Sequence, residues 1–197
     1  MTENEIIQIL KDTNALMGGH FVLTSGLHSP HYIEKFRVLE QPRHTEKLCK
    51  AIAEMFVKDN ITVVVGPMTG GIILSYEVGK QLGVKSIFTE RVDGKMKFRR
   101  GFTLSGSDNV LIVEDITTTG GSILEVIEAI KALGNNTNGG MPNIVAVSCL
   151  VDRSNGRAVF GVPFKPLLKM NVIAFKPEEV PDWLAKIPVT KPGSTNK

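Results

Sequence analysis

Cysteine is nearly absent from this chain of 197 residues: Cys49 and Cys149 are the only two, each inside an apolar segment. That excludes a disulfide scaffold and a cysteine-built zinc site, and both read as small core residues. Aromatics make up only 6 %, with one tryptophan, Trp183. They do not interleave with cations, which argues against a nonspecific nucleic-acid surface. No apolar run approaches the roughly 18 to 20 residues that cross a bilayer. The opening MTENEIIQIL has neither a basic nor an apolar signal region, so a cytoplasmic location is expected. A P-loop string, a dinucleotide GxGxxG and a helical histidine pair are all missing. His20, His28, His31 and His44 assemble no triad, and a surface position is expected for the middle two.

What is present is a globular composition, 42 % hydrophobic and 22 % charged. It excludes a disordered chain, and the length suits one domain. The net charge of +3 is too small to argue for nucleic acid, but its distribution is uneven. Residues 91–100, RVDGKMKFRR, hold five cations against one anion. Such a segment is either a solvated face or meets an anion.

Periodicity and punctuation predict the elements. Thr2 to Glu5 fits a capping box, opening a helix that ends at Gly18-Gly19. Phe21 to Leu23 reads as a short strand, and residues 28–39 as extended. Pro42 starts a helix with its apolar stripe on Leu48, Ala51, Ile52, Met55 and Phe56. Ile61–Val65, Ser86–Glu90, Asn109–Val113 and Ile144–Val151 read as strands, three of them apolar on both faces. Helices are predicted near 72–82, with Gly83 as C-cap, and near 122–133. Asp93-Gly94 marks a β-hairpin turn, with Lys95, Lys97 and Arg99 sharing one face. A loop is expected at 134–140, a further strand near 170–175, and a mobile tail over 190–197. The βαβ alternation predicts an α/β fold, a mainly parallel sheet of about five strands with helices on both faces.

Ligands of such sheets sit beyond the strands' carboxyl ends. The sharpest motif lies there: VLIVEDITTTGGS, residues 110–122. Glu114 and Asp115 end a hydrophobic strand, where unpaired charge is expensive. Ile116, Thr117, Thr118, Thr119, Gly120, Gly121 and Ser122 then lead into a helix, whose free N–H groups and dipole favour an anion. Acids followed by an anion cradle suit a ligand with adjacent hydroxyls and a phosphate, such as a ribose 5-phosphate. Gly66 to Gly71 is a second glycine loop, open to reading as an anion cradle or a tight turn.

VLIVEDITTTGGS closely resembles the phosphoribosyl pyrophosphate (PRPP) binding motif of the type I phosphoribosyltransferases. FVLTSGLHSPHYIEK, GPMTGGIILSYEVGKQLG and CLVDRSNG resemble the orotate-using branch of that family, so the resemblance covers most of residues 15–160. It implies a single domain over 1–197, with a small hood from about residues 1–40 plus the C-terminal segment. Trp183 would pack against the hood or a dimer partner. It implies that Glu114 and Asp115 bind the ribose hydroxyls and that Thr117 to Ser122 bind the 5′-phosphate. Met68, Thr69 and Gly70 would form the pyrophosphate loop, in which the family often carries a non-proline cis peptide. Thr118 and Arg153 would contact orotate, with Ser25, Gly26 and Tyr32 part of the hood over it; a salt bridge to Asp152 is the alternative for Arg153. The implied reaction joins orotate N1 to C1 of PRPP and releases pyrophosphate, giving orotidine 5′-monophosphate in pyrimidine synthesis. The implied cofactor is Mg²⁺, held mainly by PRPP rather than by direct protein ligands. Arg91, with Lys95, Lys97, Arg99 and Arg100 beside it, would serve the pyrophosphate charge from a loop shared across a homodimer.

The basic loop is shorter than the family's common form and contains no histidine, and Thr24 and Thr69 stand where lysines are usual. A purine-specific phosphoribosyltransferase and a non-catalytic PRPP-binding regulator remain as alternatives. Arg153 favours a carboxylated base over a purine, and no separate DNA-binding motif supports a regulator.

Overall fold

The computed structural model describes residues 1–23, 25–134 and 140–191. Thr24, most of the expected 134–140 loop and the tail from 192 lie outside them. The chain divides into two compact units, Met1–Gln41 with Asn171–Lys197, and Pro42–Met170.

In the first unit, α1 (Glu3–Asp12) opens on the capping box: the Glu5 amide donates to Thr2 Oγ1 at 3.3 Å and the Thr2 amide to Glu5 Oε2 at 2.7 Å. The Thr2 amide and hydroxyl, both donating to Glu5 Oε2, hold the Glu5 carboxyl below its ordinary pKa. Ile6 and Leu10 form the buried stripe. The helix stops at Asp12, earlier than the glycine pair suggests. The Thr13 hydroxyl donates to the Ile9 carbonyl and Asn14 takes a left-handed conformation, φ 54°. Gly18-Gly19 instead lies inside β1 (Leu16–Val22), at a register shift against antiparallel β2 (His28–Ile33). A Cβ on Gly19 would stand 3.0 Å from the Phe21 ring, so a larger residue at the shift would press that ring aside. Short α2 (Phe36–Leu39) follows within the stretch expected to be extended.

The second unit opens with α3 (Pro42–Glu54), β3 (Val63–Pro67), α4 (Gly70–Leu82), β4 (Lys85–Val92) and β5 (Lys95–Phe98). It continues with β6 (Asn109–Thr117), α5 (Gly121–Gly134), β7 (Asn143–Asp152) and β8 (Leu168–Lys169). Its six strands run in the order β5-β4-β3-β6-β7-β8, all parallel except β5. Val63, Val65, Val110, Ile112 and Val147 share one core with Ile123, Val126, Ile127 and Ile130 of α5. Val64 and Leu111 point the other way and are also fully buried, on the face where α4 packs over β3 and β6. Gly83 caps α4 at φ 70° as expected. The strand expected near 170–175 is not part of this sheet; its edge is β8, and Phe175 instead bridges His28 in the first unit.

The C-terminal segment of the first unit contains α6 (Asp182–Ala185) and β9 (Val189–Thr190), which pairs parallel with β1. His20 is buried: its Nε2 lies 2.6 Å from His28 Nδ1 and its Nδ1 lies 3.1 Å from the Ile187 carbonyl. His28 is therefore half-buried, against the surface position expected for it, whereas His31 is exposed. Trp183 is exposed and meets Phe175 edge-on.

Candidate active site

From β3 the chain moves outward to β4, then returns to place β6 on the opposite side of β3. That reversal opens a crevice beyond the carboxyl ends of β3 and β6, the place where open parallel sheets bind ligands. Three expected segments end there: the glycine loop after β3, the acid-and-threonine segment of β6, and Asp152-Arg153 at the end of β7.

β6 runs further than expected, carrying both acids inside the strand. Glu114 is 8 % exposed and Asp115 2 %. Strand alternation puts them on opposite faces: Glu114 and Ile116 continue the α5 face of Val110 and Ile112, and Asp115 the α4 face. The Asp115 amide donates to Glu114 Oε1 at 2.9 Å, and the Ile116 amide to Asp115 Oδ1 at 2.6 Å. These bonds turn each carboxylate along the strand end.

Beyond Thr117 the chain folds over a recess of about 60 Å³ lined by Glu114 and the continuous run Ile116–Ile123. This is well above the roughly 10–15 Å³ one water needs. Asp115 does not line it. Gly120, at φ 81°, allows the turn, and a Cβ there would stand 2.7 Å from the Phe160 ring. The first amides of α5 have no partner within the helix and face an anion-sized space.

The turn after β3 is built differently. A Cβ on Gly66 would overlap the Gly71 carbonyl oxygen, and one on Gly71 would stand 2.7 Å from Pro67 Cδ. Met68 and Thr69 are exposed at its tip, their peptide bond cis, and the Met68 amide donates to the Thr89 carbonyl at 2.9 Å. Gly70 is buried as the first residue of α4.

The Arg153 amide donates to the Thr117 carbonyl at 2.8 Å, fixing this residue beside the end of β6. The Asp152 carboxylate accepts from the Ser154 amide at 2.8 Å. Tyr32 belongs to the other unit, where it stacks near Phe21 at 5.7 Å.

The hairpin forms as read: Val92 pairs with Lys95 across Asp93 (φ 51°) and Gly94 (φ 76°), the left-handed pair of a tight primed turn. Lys95 and Lys97 share a face, while Arg91 lies on the other with buried Met96. The Arg91 guanidinium donates to the Gly94 carbonyl and pairs with Glu125 of α5 at 2.9 Å. Arg100 grips Glu90 through two bonds of 2.8 and 3.1 Å, which pulls the Glu90 carboxyl down and the guanidinium up in pKa. Lys97 reaches Asp93 at 3.4 Å. Lys95 and Arg99 have no ion pair among the described residues. Glu125 and Phe160 were not singled out by the sequence; each touches its partner across more than thirty positions, with no local motif to mark it.

Among the described residues no three His, Cys, Asp or Glu side chains could together hold a metal ion. No described helix is long and apolar enough to cross a membrane.

The sheet reversal and the acid-to-cradle turn define the phosphoribosyl transferase domain, whose family model matches residues 37–159. The chain is 46 % identical over 194 residues to the orotate phosphoribosyltransferase of Desulforamulus reducens, covering 98 % of each. It is 45 % identical to that of Caldicellulosiruptor bescii over the whole of both chains. On this evidence it belongs to the orotate phosphoribosyltransferase family. The crystal structure of the Aeropyrum pernix orotate phosphoribosyltransferase aligns with 84 % of this chain and 93 % of its own, at 26 % identity and a TM-score of 0.70. The PRPP complex of the Mycobacterium tuberculosis enzyme, at 20 % identity and a TM-score of 0.62 over 85 % of this chain, shares the fold.

Proposed function

We propose that this chain transfers the 5-phosphoribosyl group from PRPP to orotate, giving orotidine 5′-monophosphate and pyrophosphate in pyrimidine synthesis. The observation that carries it is the continuous run from Glu114 to Ser122, in which Glu114 lines an anion-sized recess at a helix N-terminus and buried Asp115 follows it on the other face of the strand. In this reading the carboxylates accept hydrogen bonds from the two ribose hydroxyls. The α5 amides and the hydroxyls of Thr117, Thr118, Thr119 and Ser122 hold the 5′-phosphate. The ribose is thereby anchored at both ends, leaving C1 as the free centre where the bond to pyrophosphate breaks and the bond to N1 forms.

Arg153 and Thr118 orient orotate, the guanidinium matching a planar carboxylate. Tyr32, in the first unit, is the remaining candidate for the base. The loop at Met68, Thr69 and Gly70 receives pyrophosphate, and Arg91, Lys95 and Lys97 supply positive charge as it departs. Hard carboxylate oxygens at the end of β6 fit Mg²⁺, an ion usually held mainly through substrate phosphates and water. When bound, the ion neutralises pyrophosphate charge. A cytoplasmic homodimer sharing the basic hairpin completes the reading. Ile73 and Tyr76, exposed one turn apart on α4, support such a contact.

The test mixes protein, magnesium and PRPP with orotate, uracil or purine bases and follows base consumption. Loss of orotate absorbance alone is expected. Consumption of a purine instead would reassign the base, and PRPP binding without turnover would point to the regulator.

A further inference from the structure

Arg91 is the node of three elements. Its amide donates to Met68 Sδ at 3.0 Å in the loop after β3, its guanidinium donates to the Gly94 carbonyl at the hairpin turn, and the same guanidinium pairs with Glu125 on α5. Glu125 lies one helical turn beyond Gly121, where the cradle helix begins. A carboxylate this close to a phosphate cradle works against anion binding unless a cation neutralises it. Its Oε2 atom, the one facing Arg91, is shielded from solvent. The side chains are 42 % and 39 % exposed, so the pair contributes little to stability. Its main consequence is geometric: it ties the hairpin's first cation to the helix that carries the cradle, while the Arg91 backbone is held at the loop.

We infer that Glu125 is a positioning residue for Arg91, setting the guanidinium for the pyrophosphate end of the substrate and not for its 5′-phosphate. This rests on the phosphoribosyltransferase reading of the site. Glu125 touches neither group; it acts through Arg91, and that dependence is measurable.

The experiment titrates magnesium pyrophosphate and, separately, ribose 5-phosphate into the full chain, E125Q, E125D, R91A and the double variant R91A/E125Q. E125Q is expected to weaken pyrophosphate binding about tenfold, the scale of one misplaced charge-assisted contact. Ribose 5-phosphate binding should stay within about twofold of the parent. E125D should fall between the two for pyrophosphate, and the double variant should bind it no more weakly than R91A alone. A further loss in the R91A background would overturn the inference, because Glu125 would then act independently. So would tighter pyrophosphate binding by E125Q, which would make Glu125 a competitor for Arg91. Equal loss of both ligands in E125Q and E125D would make its role structural. A parent that binds ribose 5-phosphate but not pyrophosphate would sink this inference alone; a parent that binds neither would sink the reading of the site with it.

Discussion

The two strand-to-helix turns at the crevice use similar residues to opposite ends. After β3, Gly66 and Gly71 close the backbone on itself so tightly that no Cβ fits, and only the tip at Met68-Thr69 is exposed. After β6, Gly120 opens the chain around a recess, with a carboxylate at its entrance. Glycine serves packing in the first turn and a positive φ in the second. A glycine-rich loop therefore does not by itself make an anion cradle; the difference lies in the space left under the turn and in the helix amides that line it.

That contrast can be broken from either side, most strongly at the closed turn. Gly66→Ala forces a methyl group into the Gly71 carbonyl, an overlap that neither backbone can relieve without moving α4. The loss should be about 3 kcal/mol or more in denaturant unfolding, the upper end of overpacking. A variant as stable as the parent would mean the turn is looser than described. At the open turn the effect should fall on function. Asp115→Asn keeps the shape but removes a charged acceptor, a class of contact worth about 1.5–3 kcal/mol. kcat/KM for PRPP should drop accordingly with melting little changed, and turnover like the parent's would refute the role given to the acids.

A smaller, more selective effect is expected next to it. Arg153→Ala should raise KM for orotate about tenfold while leaving PRPP affinity near the parent's. Equal loss of both would make Arg153 a structural residue.

The weakest contrast comes from the two thiols. Cys149 is paired in register with Glu114 beside the open turn, whereas Cys49 sits on α3, which packs on α4. Burial pushes both thiols up to about 12, with Glu77 adding to the effect at Cys49 and Asp152 and Glu114 at Cys149. Because the folded value lies above the ordinary 9.0, their contribution to stability is full below about pH 9 and is lost as pH climbs toward 12. Labelling by a thiol reagent at about pH 8 should be slow at both. Rapid labelling of either native thiol would contradict its burial.

Much of this was legible in the sequence because it is local. Asp93-Gly94 announced the hairpin, β-branched runs the buried strands, and the glycines after the threonines the turn beyond β6. What failed was ambiguous or distant. Gly18-Gly19 reads as a helix stop, but only pairing with β2 shows that it belongs to a shifted strand register. The apolar run ending in the acids does not say where the strand ends, so the opposite faces of Glu114 and Asp115 emerge only from the extended β6. The resemblance marked Arg91 among the five cations but not its partner, because Glu125 lies on a helix that the hairpin meets only in the folded sheet.

The central claim is that the open turn, and not the closed one, holds the 5′-phosphate. Backbone amide resonances followed by NMR while ribose 5-phosphate is added test it most directly. The amides of Thr118 to Ser122 should shift in a saturable way while those of Met68 to Gly71 stay in place. Shifts confined to residues 68–71, with the cradle amides unmoved, would contradict it.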